Sequence, residues 1–203
     1  MLLQTWLTLL VLVVAALTSL VFLYLSIRRS SGLFFVFWLG LVGISASRFL
    51  YFYIDRLGPV EFYRDFISLG GLSFILVGLF ILIRDSKPEV ARFPASFTLL
   101  PLAILPFYPL LNDKAVLREL LMLIIQGGGI VVALLILSMR QIKDSRHAYL
   151  IFGILFFAAS YVLKWFIFNA GEHQWTYEIS LSLGMIICTY GFLKQSILTN
   201  KEV

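Results

Sequence analysis

Conventional catalytic equipment is scarce in this chain. Of 203 residues only one is cysteine and two are histidine, and charged residues make up 13%; a soluble domain carries nearer ~25%. A single cysteine, Cys188, excludes an intrachain disulfide. Metal and haem sites need clusters of His, Cys or carboxylate at suitable spacing, and no such cluster can be assembled from His147 and His173. No P-loop, dinucleotide fingerprint, nucleophile elbow or zinc motif occurs, so the sequence assigns no cofactor and no metal. Asp65 and Glu178 have the chemistry for acid–base work, but neither a nucleophile nor a metal partner accompanies them. The expectation is a protein that is not an enzyme.

What fills the chain instead is hydrocarbon. Hydrophobic residues make up 61%, far more than a soluble core can hide. They fall into seven runs, about 3–27, 33–54, 62–83, 94–111, 116–139, 148–169 and 175–197. At a rise of ~1.5 Å per residue, about 20 apolar residues cross the ~30 Å hydrocarbon core of a bilayer. The fold class expected is therefore an all-α integral membrane protein of seven transmembrane helices. The longest connections are about ten residues, too short for a second domain, so residues 1–203 read as one unit. The first run is too long for a secretory signal and lacks a basic leader, which makes it a retained helix.

The net charge of +5 reflects placement rather than a nucleic-acid partner. Arg28, Arg29, Arg84, Lys87, Arg92, Arg140, Lys143, Arg146, Lys194 and Lys201 lie in one set of alternating loops. The opposite set holds Arg56, Arg64, Lys114 and Arg118. Cytoplasmic loops carry the Lys/Arg excess, which puts the N-terminus outside and the C-terminus inside. His147 and His173 then lie on opposite sides, and a multi-pass protein of a prokaryotic inner membrane is expected. The basic loops should attract anionic lipid whatever the purpose of the protein.

The two halves of the chain align. Ser26-Ile27-Arg28 closes the first run and Ser138-Met139-Arg140 the fifth; Arg48 sits opposite Lys164, Asp65 opposite Glu178, Gly71 opposite Gly184 and Gly78 opposite Gly191. These pairings suggest a parallel 3+1+3 repeat, with halves at about 1–84 and 116–198 and a linker helix at about 94–111. Pro94, Pro101, Pro106 and Pro109 bend that linker by removing helix hydrogen bonds. The arrangement is similar to the sugar-transporting SWEET family and its PQ-loop relatives, and the resemblance implies seven helices with the N-terminus outside. It departs in one respect: the Pro-Gln signature is missing, since Gln126 follows Ile125, so no functional residue carries over. A retinal protein is excluded, because Lys194 lies at the cytoplasmic end of the seventh span and Lys164 in the sixth.

Ionisable residues within spans mark either function or an interfacial anchor. Arg48 lies roughly 22 Å up the ~30 Å core, Lys164 at a similar height, and Asp65, Glu119 and Glu178 about one turn below the outer ends of their spans. Two readings stand. The cations can snorkel to the headgroups, within an aromatic belt of Tyr51, Tyr53, Tyr63, Trp165, Trp175 and Tyr177. Alternatively, Arg48, Asp65, Glu119, Lys164 and Glu178 face inward as a ligand-binding cluster, with Gln126 as its floor. Glycines at 70–71, 78, 127–129, 184 and 191 point to close helix packing, or to an unwound segment at 127–129. In function, the leading expectation is a binding or sensory subunit that passes its signal to a partner protein through loops 84–93 and 140–147. A small-solute facilitator of the 3+1+3 type is the alternative, a lipid-modifying enzyme a distant third, and self-association remains open.

Overall fold

The computed structural model describes residues 2–54, 61–86, 88–111, 114–139, 148–167 and 174–199. Nearly all are helical, and no strand occurs among the described residues. In chain order the elements are α1 (Leu2–Arg29), α2 (Gly32–Phe49), α3 (Glu61–Ser86), a one-turn α4 (Pro88–Ala91), a 3-10 helix (Ala95–Leu111), α5 (Ala115–Met139), α6 (Ala148–Val162) and α7 (Gln174–Thr199). Helices α2 and α6 each run on into a five-residue π turn, Leu50–Ile54 and Leu163–Ile167.

Five helical stretches are long and apolar enough to cross a bilayer: Trp6–Arg29, Gly32–Tyr53, Glu61–Asp85, Tyr149–Phe166 and Trp175–Lys194. Of the other two expected crossings, α5 is a 25-residue α-helix, and the fourth run departs most from expectation. It is a 17-residue 3-10 helix, not a bent α-helix. Pro101, Pro106 and Pro109 lie inside it, and each deletes an N–H donor and clashes with the preceding turn of an α-helix. At ~2.0 Å per residue a 3-10 helix of this length reaches about 34 Å, enough to match the bilayer core.

Six helices close a ring. Each of the neighbours α1–α2, α2–α3, α3–α5, α5–α6, α6–α7 and α7–α1 packs together, and the 3-10 helix lies outside the ring against α3 and α5. The outer surface is apolar: Trp6, Ile27, Phe107, Leu110 and Val116 are each at least two-thirds exposed or close to it. Such a surface suits lipid and not water. In lipid the hydrophobic effect no longer drives helix against helix, so association rests on close packing and hydrogen bonds. Serine and threonine hydroxyls accordingly turn back onto carbonyls, as in Thr18 to Val14 at 2.8 Å and Thr189 to Met185 at 2.7 Å. Ser180 bridges α7 to the Phe156 carbonyl of α6 at 2.9 Å.

The tightest seams are α2–α3 and α6–α7, and the same contacts build both. A Cβ on Gly71 would lie 2.8 Å from the Gly40 carbonyl oxygen and 2.9 Å from the Ile44 nitrogen; a Cβ on Gly184 would lie 3.2 Å from the Gly153 oxygen and 3.3 Å from the Phe157 nitrogen. Gly40 abuts Ile75 as Gly153 abuts Cys188, and Gly78 abuts the Phe37 ring as Gly191 abuts Leu150. One constant shift along the chain carries every member of the first set onto the second, and it also carries the Leu50–Ile54 π turn onto Leu163–Ile167. The register differs from the one that charge suggests. Contacts set Arg48 against Tyr161, and Lys164 against Tyr51, one helical turn away from an Arg48–Lys164 match. The expected glycine pairs Gly71–Gly184 and Gly78–Gly191 do occupy like positions.

A candidate binding cavity

The ring encloses a cavity of about 250 Å³ to which all six helices contribute. Its lining repeats the same shift: Leu41, Ile44 and Ser47 of α2 answer to Ile154, Phe157 and Ser160 of α6, and Ser68, Leu72 and Ile75 of α3 to Leu181, Met185 and Cys188 of α7. At one end Phe22, Phe37 and Phe192 converge from three helices, with ring centroids 5.5–5.6 Å apart and Phe34 behind them. Edge and tilted contacts of this kind fit the ring quadrupoles and give a rigid apolar floor. At the other end the lining turns polar, with Arg48, Gln126, Tyr161, Lys164 and Tyr177.

Two charged groups form at that polar end, where α1, α3, α5 and α7 begin and α2 and α6 finish. In the first, Arg48 of α2 reaches past α1 to α7. Its Nη1 donates to Glu178 Oε1 at 3.2 Å and its Nη2 to the Tyr177 hydroxyl oxygen at 2.8 Å. Thr8 of α1 donates to both Glu178 oxygens at 3.3 and 3.4 Å, and the Tyr177 hydroxyl adds a long bond of 3.4 Å. The Glu178 side chain is 5% exposed and that of Arg48 20%; a carboxylate this enclosed needs the three donors that surround it. In the second group, Asp65 of α3 takes Arg64 Nε at 3.3 Å and Arg118 Nη1 of α5 at 3.8 Å. Asp65 near the start of α3 thus meets α5, as Glu178 near the start of α7 meets α1.

Lys164 belongs to neither pair. Its ammonium lies 4.9 Å from the Trp165 ring centroid and 5.6 Å from that of Tyr177, and no carboxylate stands within ion-pair distance of it among the described residues. Aromatic faces hold it by cation–π attraction. Beside it, the Trp165 indole N–H donates to Gln126 Oε1 and ties the π turn after α6 to α5. A π turn bonds i to i+5 and so re-aims the residues that follow the α-helix, which sets Lys164 on the cavity wall.

The six residues singled out by sequence therefore divide. Arg48, Gln126 and Lys164 line the cavity, Glu178 backs Arg48, and Asp65 belongs to the second group. Glu119 is exposed and joins no ion pair among the described residues. The aromatic belt divides as well. Tyr51, Tyr53, Tyr63 and Trp175 are exposed, whereas Trp165 and Tyr177 turn inward. Sequence reasoning passed over Thr8 and the phenylalanine floor. The only signal for Thr8 is its place on the face of α1 that also carries Val11, Ala15 and Phe22, all buried. Helix α5 stays α-helical through Gly127–Gly129 rather than unwinding; a Cβ on Gly127 would meet the Tyr161 hydroxyl at 2.9 Å, while Gly128 faces open space. His147, His173 and the loop 140–147 lie outside the described residues. No family model, curated protein or solved structure matches the chain.

Proposed function

We propose that this chain is a multi-pass membrane protein that takes a small ligand into the cavity between two pseudo-equivalent helix triplets and acts as a sensory or complex subunit. The observation that carries the reading is the cavity itself: six helices line it with hydrocarbon for most of its length, and the charged and amide side chains Arg48, Lys164 and Gln126 gather at one end. Ligand sites are mostly apolar with a few placed polar groups, and this wall has that composition. The basic loops argue for the polar end facing outward, with the N-terminus outside, in a membrane of the prokaryotic inner type. Loops 84–93 and 140–147 are the surfaces from which a partner protein would take the signal. The proposal includes neither metal nor cofactor, and no catalytic step.

A second reading, a 3+1+3 facilitator, draws on one specific observation. The constant shift that relates Gly40–Gly71–Ile75 to Gly153–Gly184–Cys188 supports an internal duplication, and parallel repeats of this kind build small transporters with their site at the repeat interface. Thiol labelling tests the cavity. In a Cys188→Ala background, Ser47→Cys and Ser160→Cys should react from the outer face of intact cells with a membrane-impermeant thiol reagent. Leu155→Cys, which faces lipid, should not. Equal reactivity at all three positions refutes an outward-opening chamber. Flux of neutral solutes into proteoliposomes, if blocked by Gln126→Ala, decides for the facilitator over the sensor.

A further inference from the structure

We infer that the ligand of this cavity is a single-chain amphiphile with one negative charge at its head, of the alkyl-carboxylate class. The inference rests on the cavity reading above and adds the chemistry of what binds.

Charge on the wall is the first ground. Two cations line the cavity, Arg48 and Lys164. Glu178 neutralises Arg48 at 3.2 Å, while among the described residues Lys164 has the Trp165 and Tyr177 ring faces, and no carboxylate, at its ammonium. Among the described residues, Lys164 is therefore the cation on the cavity wall that has no carboxylate partner. A buried ammonium is costly unless paired, and a monoanionic head supplies the missing partner through a charge-assisted hydrogen bond. A neutral donor stands near for the second oxygen of a carboxylate: the Tyr161 hydroxyl, whose bond to the Leu123 carbonyl is long at 3.4 Å. A cationic or zwitterionic head would bring a second positive charge against Lys164 and Arg48.

Shape is the second ground. From Tyr177 to Phe192 the wall of α7 runs fifteen residues, about 22 Å along the helix. Lining residues over that length make the cavity elongated, with Leu72, Ile75 and Met185 along its walls and the phenylalanine cluster at its end. One alkyl chain fits this form; a sugar or amino acid would leave its polar groups against hydrocarbon without partners.

The test measures binding of radiolabelled dodecanoate to the purified protein in nanodiscs of zwitterionic lipid, with three competitors. Dodecanol has the tail without the charge, dodecyltrimethylammonium has the opposite charge, and acetate has the head alone. Dodecanoate should bind and be displaced by unlabelled dodecanoate, with the others weaker by roughly tenfold or more, the scale of one charge-assisted bond. Lys164→Met should weaken dodecanoate by a similar factor, Lys164→Arg should retain it, and the plugging substitutions Leu72→Trp or Ile154→Trp should remove it. If alcohol and cation compete as well as dodecanoate, or if Lys164→Met binds as the parent does, the head assignment is wrong while the cavity stands. If acetate competes as well as dodecanoate, the ligand is a small acid and the tail assignment fails. If no amphiphile binds, or if both plugged variants bind all of them unchanged, the cavity reading falls together with this one. Unfolding temperatures of all variants identify any loss that comes from misfolding, and retained binding in a folded Lys164→Met protein remains decisive.

Discussion

Helices α2–α3 and α6–α7 pack alike, while α1 and α5, which precede them, are held very differently. In α2–α3 and α6–α7, glycines let the backbones touch in the same register. Helix α1, by contrast, is sealed into its triplet. Thr8, Val11, Val14, Ala15, Thr18, Ser19, Phe22 and Leu25 are all buried, a stripe of helical period set against α2 and α7. Helix α5, which stands in the matching place, buries Ile125 among its described side chains and exposes Leu117, Leu120, Ile124, Val131, Leu134 and Leu135. It meets α6 sparsely. Its three consecutive glycines offer no side chains to grip a neighbour, whereas α1 carries Ala15 and Ser19 at its contacts. One half of the ring is a built wall and the other has a loosely held staff. Segments with few packed contacts open most readily, so α5 is where the cavity has freedom to change shape.

The largest expected effect sharpens the contrast between the two charged groups. Glu178 is enclosed and held from three helices, so Glu178→Ala leaves Arg48 without its counter-charge. Breaking a buried pair in this way costs about 3–5 kcal/mol. Asp65 has a side chain 29% exposed, with partners at 3.3 and 3.8 Å of which Arg118 is itself 12% exposed, a half-buried group with longer contacts that is worth less than the enclosed pair. Asp65→Ala should therefore be several-fold milder. Reversible unfolding in mixed micelles measures both. Equal losses would mean that the two groups are energetically alike despite their geometry.

Glycine seams come next. Gly71→Ala drives a Cβ to 2.8 Å of a backbone oxygen, where neither helix can yield without separating; Gly184→Ala meets its neighbours at 3.2–3.4 Å. Overpacking of the first kind costs about 1–3 kcal/mol. The second should cost well under that, because a few tenths of an ångström of adjustment suffices. The same unfolding measurement applies, and a reversed order would show that α6–α7 is the more rigid of the two seams.

How much of this was legible in sequence follows from what one dimension encodes. Apolar run length fixes a helix and its ends, so α1, α2, α3, α5, α6 and α7 begin and stop close to where the runs do. Glycines seven apart on one face forecast the seams at Gly71–Gly78 and Gly184–Gly191 because helical period alone puts them together. Partner choice was not legible. Arg48 and Asp65 lie at one level on adjacent helices, but their pairing depends on how each helix is rotated, and α2 turns Arg48 toward α7. The alignment of Arg48 with Lys164 rested on charge; contact geometry aligns Ser47 with Ser160 instead. The fourth run misled for a different reason. Proline spacing announces a broken α-helix, and nothing in the pattern says that the remedy is a change of helix type along the whole run.

The smallest effect breaks the comparison from the α5 side. Gly128 faces open space, so a Cβ there meets nothing within 4 Å. Gly128→Ala then gains helix propensity without collision and should stabilise by about 0.5–1 kcal/mol. Gly127→Ala, one residue earlier, runs into the Tyr161 hydroxyl at 2.9 Å and should disturb the α5–α6 contact instead. Amide hydrogen exchange gives the direct reading. In the parent chain, exchange along α5 should be faster than at matching depth along α1, and Gly128→Ala should slow it. If α5 exchanges as slowly as α1, the two first helices are equally fixed, and the freedom assigned to this side of the cavity does not exist.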